Sequence, residues 1–287
     1  MNSAQEHLRL AKESIAGQRP YQEDAVLTET LSDGRTLVAV ADGMGGHAAG
    51  EVASALALET LTEALEGGQS LTDAFTLANQ RVFDKAKEPG KQGMGTTLVA
   101  MVIDGAEFTV ANVGDSRGYL LSADGIRQIT EDHSFVAEGL KRGKAEAEML
   151  ASKWKDALTR SIGTEGAVEV DLFGPFSLEP ETAVLLCSDG LYKTLTDSDL
   201  WDLFVSSGGP RGASQTLVST AFDRGSDDNI SVAIAEMGEV PRDRPVGTMP
   251  LEFHPPEDSE NDADGSPADK KEKPGKKGWW PWGKSSS

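Results

Sequence analysis

The chain has 287 residues and carries 47 Asp and Glu against 27 Lys and Arg, a formal net charge of −20. A balance this acidic opposes nucleic acid, which recruits positive surface to replace its counterions. A single cysteine, Cys187, excludes an internal disulfide framework and a thiolate zinc cage, and no apolar run approaches the ~20 residues needed to span a bilayer. The N-terminus, MNSAQEHLRLAKESIAG, has no signal-peptide core, so the expectation is a soluble cytoplasmic protein.

In chain order, RTLVAVA (35–41) is a continuous apolar run ending in Asp42-Gly43, which predicts a buried strand. GEVASALALETLTEAL (50–65) has helical spacing, and a second helical pattern follows at 71–87. TTLVAMVI (96–103), EFTVANV (107–113) and RGYLL (117–121) predict strands, with Asp104-Gly105 and Asp124-Gly125 as hairpin turns. Residues 134–155 read as helical, polar and exposed. Strands are predicted at 168–173 and 182–187, helices at 197–205 and 211–222, and a closing strand in NISVAIAEM. Adjacent hairpins and paired helices indicate α+β: a central β-sandwich of two antiparallel sheets flanked by helix pairs, in α-β-β-α layers.

Composition shifts near Met237. Residues 238–287 hold 8 of the 13 prolines and 3 of the 5 tryptophans, with no periodic apolar run. Seven acids and no base lie in 252–269, then six lysines and one acid in 270–287. The expected organisation is a domain over 1–237 and a disordered tail over 238–287. The tail ends in lysines beside Trp279, Trp280 and Trp282. This aromatic patch favours docking to a protein partner, or back onto the acidic body, over membrane contact.

The acids carry the chemistry. Five Asp-Gly pairs occur, and those at 33, 104 and 124 read as turns. Asp42 and Asp189 instead directly follow buried runs, where a carboxylate is costly unless compensated. Asp115 and Asp228 lie at the end and start of strands, and Asp24 follows Arg19 by five residues. If these ends converge, two carboxylates ~4 Å apart repel by ~4 kcal/mol at an effective dielectric of ~20. Oxygen ligands without a local His or Cys cluster favour Mg²⁺ or Mn²⁺ between them.

RPYQEDA (19–25), ADGMGGHAAGEVAS (41–54), MGTTLVA (94–100), NVGDSRGYL (112–120), TEDHS (130–134), ALTRSIG (157–163), LLCSDGLY (185–192) and SDDNISVAI (226–234) occur in this order. Together they resemble the PP2C (PPM) family of metal-dependent protein serine/threonine phosphatases, in its bacterial form. The resemblance implies attack on phosphorus by a water activated between two Mn²⁺ or Mg²⁺ ions. Asp42 would bridge the ions, the Gly43 carbonyl would ligate one, Asp189 and Asp228 would bind the first, and Asp24 would act on the second. Asp115 with Asp189 would hold a third, weaker ion. Glu23 would support metal-bound water, Arg19 would grip phosphate, and His47 would protonate the leaving alkoxide. Asn229 is expected to orient its neighbours, and His133 to stabilise a turn.

The implied partners are phosphorylated proteins, substrates of a cognate kinase. The segment around 134–156 would be a flap over the site. It lacks the family's proline and carries WKD before ALTR, which weakens any inference about substrate choice. Two other functions compete: a catalytically silent binding module, which would have lost metal aspartates, and a hydrolase of small phosphoesters.

Overall fold

Alternating side chains of continuous apolar runs feed two different cores, and this sets the architecture. The computed structural model describes residues 8–46, 48–238 and 240. The chain begins with β1 (Leu8–Ile15), β2 (Asp24–Thr30) and β3 (Thr36–Met44), then α1 (Ala48–Glu66) and α2 (Leu71–Lys85). A two-residue β4 (Gly95–Thr96) precedes β5 (Leu98–Asp104), β6 (Glu107–Val113), β7 (Arg117–Ser122) and β8 (Gly125–Gln128). Short helices α3 (Phe135–Lys141) and α4 (Glu146–Leu150) lead to β9 (Asp171–Ser177) and β10 (Thr182–Cys187). The remaining elements are α5 (Asp189–Tyr192), α6 (Asp197–Ser206), α7 (Pro210–Asp223) and β11 (Ile230–Met237).

Two antiparallel sheets result, ordered β1-β11-β10-β7-β8 and β2-β3-β5-β6-β9, with β4 paired to the end of β3. Val38 and Val40 of β3 point between the sheets, where they join Val99, Met101, Val110, Val184, Leu186 and Ala233. Leu37, Ala39 and Ala41 point the other way and pack with Ala57, Leu61, Phe75 and Val82 of α1 and α2. On the far side, Leu185, Cys187, Val232 and Ile234 meet Trp201, Phe204 and Leu217 of α6 and α7. Helix pair, sheet, sheet, helix pair is the predicted α+β sandwich. Both faces of each central strand are buried, which explains why the runs are continuous rather than alternating.

Local signals fix the helix ends. Ser70 caps α2 by accepting from the Asp73 N–H, and Thr196 and Asp199 form a capping box on α6. The predicted Asp-Gly turns at 104 and 124 join β5 to β6 and β7 to β8.

Several elements differ from the expectation. β1 and β2 carry no strong sequence signal, because their side chains are mostly only half-buried. β9 starts at Asp171 rather than 168 and runs through Pro175, tolerated because this strand pairs on one side only. Residues 134–155 are not one helical run. Gly143 adopts φ 77° just beyond α3, which reverses the chain into α4, and turns follow from Ala151. Gly139 makes room for Met149 of α4: a Cβ on it would lie 2.1 Å from the Met149 Cε, so that flexible side chain would have to move.

Most of the expected tail over 238–287 lies outside the described residues, including the Trp-rich end. Val240 is buried, and its N–H donates to Glu236 Oε1 at 3.1 Å. Among the described residues no helix is long and apolar enough to cross a membrane.

Candidate active site

Strand register brings the first two acids together. Asp24, the first residue of β2, is the direct partner of Asp42 in β3. The end of β3 is held by side chains as well as by its ladder. Thr97 Oγ1 accepts from the Asp42 N–H at 3.0 Å, and Thr96 Oγ1 donates to the Asp42 carbonyl at 2.9 Å. Thr97 Oγ1 in turn pairs with Ser116 Oγ at 2.7 Å, which couples Asp42 to the loop that carries Asp115.

Gly43 occupies a place that no side chain can share. A Cβ on it would meet the Gly50 carbonyl oxygen at 2.2 Å and the Glu23 carbonyl oxygen at 2.5 Å. Its N–H donates to that same Glu23 carbonyl at 3.1 Å. Close approach of three backbones is therefore the reason for glycine here.

From the other sheet, β10 delivers Asp189 at the start of α5, and Asp228 precedes β11. Ser188 Oγ donates to Asp24 Oδ2 at 2.7 Å, a bond across the sandwich. Asn229 joins the remaining parts. Its Oδ1 accepts from the Glu23 N–H at 2.8 Å, and its Nδ2 donates to the carbonyls of Ala16 and Tyr21, both at 2.9 Å. The loop bearing Arg19 and Glu23 is thus tied to the start of β11. Substituting Asn229 with Ala removes these three part-buried hydrogen bonds, at about 0.5–1.5 kcal/mol each. The expected result is a urea midpoint lower by several tenths molar together with weaker activity.

His133 is structural, as its motif context suggests. Its Nδ1 accepts from the Gly114 N–H at 3.0 Å, so the other ring nitrogen carries the proton toward Asp171 Oδ2 at 3.1 Å. This bond fixes the turn immediately before Asp115. His47 lies outside the described residues.

These side chains line one cleft of about 1180 Å³, which includes Arg19, Glu23, Asp42, Gly43, Asp115, Asp189 and Asp228. Asp24 sits beneath it, buried, in hydrogen bond with Ser188. Burial pushes the Asp24 carboxyl up to about 7, against the bonds from Ser231 and Ser188 and with repulsion from Asp189 and Asp228 adding to it. Burial also holds Asp42 well above the usual carboxylate range, reinforced by Asp24, Asp189, Asp115 and Asp228. Asp115 rises to about 6 through burial and Asp189, offset by Lys193, and Asp228 rises for the same first two reasons.

Two protein cations reach these acids. Arg19 Nη2 donates to Asp228 Oδ2 at 2.7 Å while its Nε donates to the Asp227 carbonyl at 2.7 Å. Lys193 Nζ donates to Asp189 Oδ2 at 2.6 Å. Lys193 was not singled out by the sequence, although it follows Asp189 by four residues on what becomes a helical turn.

The residues fit a hard divalent cation. Asp24 Oδ1 and Asp189 Oδ1 are buried without a hydrogen-bond partner. The carboxylates repel one another into raised proton affinity, and the local donors are oxygens. Among the described residues no three acidic, His or Cys side chains are already gathered into a cage. Asp228 and Asp189 are instead each turned onto a protein cation.

A β-sandwich between helix pairs, with an acidic cleft where strand ends of both sheets meet beside Arg19, fits the class of metal-assisted phosphoester hydrolases. The comparisons with known proteins place the chain within it. The model of the family "Protein phosphatase 2C" matches residues 13–220. The serine/threonine phosphatase stp of Listeria welshimeri is 37% identical over 231 residues, which is 76% of this chain and 91% of that protein. The solved serine/threonine phosphatase of S. agalactiae superposes with a TM-score of 0.75 at 30% identity, over 80% of this chain and 99% of that one. The catalytic domain of the phosphatase PstP, solved in complex with two manganese ions, gives a TM-score of 0.69 at 30% identity, over 81% and 99% of the two chains. This chain belongs to the protein phosphatase 2C family.

Proposed function

We propose that this protein removes phosphate from phosphoserine and phosphothreonine in proteins, reversing the work of a protein kinase in the cytoplasm. The observation that supports this most is the meeting of Asp24, Asp42, Asp115, Asp189 and Asp228 from separate segments beside Arg19. Divalent ions, Mn²⁺ or Mg²⁺, would supply an activated water and neutralise phosphate oxygens when bound there.

The chain's own residues then have distinct tasks. Asp42, central among the acids, would hold divalent ions together with the Gly43 carbonyl, Asp24, Asp189 and Asp228. Glu23, anchored through its backbone by Asn229 and Gly43, orients water at the edge of the cluster. Arg19 has a planar donor fork suited to phosphate oxygens, and its bond to Asp228 keeps it at the mouth. His47 is assigned the proton for the leaving alkoxide by its position in the motif. Residues 1–237 are the catalytic domain in this reading, with 134–156 as its flap and 238–287 as a docking tail.

Purified protein should hydrolyse an aryl phosphate with Mn²⁺ and fall silent in EDTA. Phosphopeptides turned over no better than nucleotides or sugar phosphates would instead indicate a small-molecule hydrolase. Phosphoproteomics of a deletion strain identifies the substrates and the opposing kinase. Removal of residues 270–287 should leave aryl phosphate turnover intact and reduce capture of a protein partner in a pull-down, with no change in liposome flotation.

Arg19→Ala is expected to raise KM for aryl phosphate by about 10- to 100-fold, since hydrogen bonds to charged groups contribute ~1.5–3 kcal/mol. Arg19→Lys should recover little of this, because a point charge cannot reproduce the fork. Steady-state kinetics at saturating Mn²⁺ checks both.

A further inference from the structure

Lys193 is a cation of the cleft that phosphate binding does not account for and that bonds directly to one of its acids. It stands one residue beyond α5, and its N–H donates to the Asp189 carbonyl at 2.9 Å. Residues four apart on a helical turn share one face, so the backbone itself points the ammonium at the Asp189 carboxylate. Nζ reaches Asp189 Oδ2 at 2.6 Å, and its charge also acts on Asp115. Asp156, at the end of the segment over the cleft, stands 3.9 Å from the same Nζ. One ammonium therefore bonds Asp189, stands near Asp156 and lines the same cleft as Asp115.

The two oxygens of Asp189 are divided between different neighbours. Oδ2 is engaged by Lys193, whereas Oδ1 is buried without a hydrogen-bond partner. An ammonium has three donors and no lone pair, so it satisfies Oδ2 but cannot share a metal ion. It also repels any cation that approaches the outer side of Asp189, and its tether keeps it close after each displacement.

We infer that Lys193 is a built-in cation that fills the outer position between Asp189 and Asp115, so that this protein takes up two divalent ions in the cleft and not three. The inference rests on the two-metal reading of the site proposed above. It assigns Asp115 to the balance of charge around Lys193 rather than to an ion of its own. Lys193 is a positioning residue: by holding Asp189 Oδ2 it leaves the buried Oδ1 as the oxygen that would hold a divalent ion.

The test counts bound metal. EDTA-stripped, full-length protein is titrated with Mn²⁺ at pH 8, with bound ion followed by calorimetry and free Mn²⁺ by electron paramagnetic resonance. Wild type should take up two ions per chain. Lys193→Met, which keeps the stem and removes the charge, should gain a third and weaker ion, and Lys193→Arg should remain at two. Lys193→Ala serves if the methionine variant does not fold, and circular dichroism verifies both. Equal stoichiometry in wild type and the uncharged variants, at two or at three, overturns the inference and leaves the site reading standing. A wild-type protein that takes up fewer than two ions overturns both.

Discussion

Replacing Asp42 with Asn is expected to lower aryl phosphate turnover by about a thousandfold or more at saturating Mn²⁺, a loss of ~4 kcal/mol in transition-state stabilisation. Asp42 has a place that no other acid shares. It is the register partner of Asp24, its backbone is held by Thr96 and Thr97, and it feels all four of the other aspartates. An amide keeps the shape and removes the charge, so ions that should meet at this side chain lose their common anion. The fold should not suffer. In metal-free protein the substitution removes a source of repulsion, so the thermal midpoint in EDTA should be equal to or above that of wild type. Loss of activity with an intact or higher midpoint separates a lost site from a lost fold. Full activity in this variant would falsify the two-metal assignment.

The second large effect is a stability whose pH dependence reverses with metal. Asp24 and Asp115 have folded-state pKa values raised to about 7 and about 6 from 3.8. Between about pH 4 and 7 the folded protein therefore binds more protons than the unfolded chain, and stability falls as pH rises. The contribution is fully present below the unfolded value and is lost by neutrality. EDTA-treated protein should melt about 4–8 °C higher at pH 5.5 than at pH 8, taking ~2 kcal/mol at roughly 2–4 °C per kcal/mol for a domain of this size. Asp24→Asn should flatten this slope. Metal binding requires the deprotonated acids, so stabilisation by Mn²⁺ should grow with pH instead. At a concentration a hundred times the dissociation constant it contributes ~2.7 kcal/mol. Differential scanning fluorimetry over a pH series, with and without Mn²⁺, checks both slopes. A melting temperature of the metal-free protein that rises toward pH 8 would refute the charge argument.

What could be read from the sequence follows from burial. β3, β5, β10 and β11 are sandwiched between two apolar layers, so their side chains are nearly all hydrophobic and the strands stand out. β1 and β2 carry polar residues at half-buried positions, so LRLAKESI and DAVLTET leave no such trace. The acids Asp42 and Asp189 were legible as charges abutting buried runs. Their convergence was not, because it depends on the register of the β2–β3 hairpin and on the pairing of β10 with β11, which lie far apart in the chain. Motif order supplied what periodicity could not. Lys193 was invisible for a related reason: a lysine in a polar stretch reads as surface until α5 turns it onto Asp189. The split of 134–155 into two short helices hinged on Gly143, whose φ no helical periodicity reveals.

The pairing of β1 with β11 has a consequence for biosynthesis. Asp228, Asn229 and the strand that orders them leave the ribosome more than two hundred residues after Arg19 and Asp24. Until that strand docks between β1 and β10, the loop bearing Arg19 lacks its bonds to Asp228 and Asn229, and the cleft lacks its far wall. A chain that has not yet added that strand therefore lacks Asp228 and Asn229 and has no complete cleft, so closure of the sheet and completion of the site are one structural event.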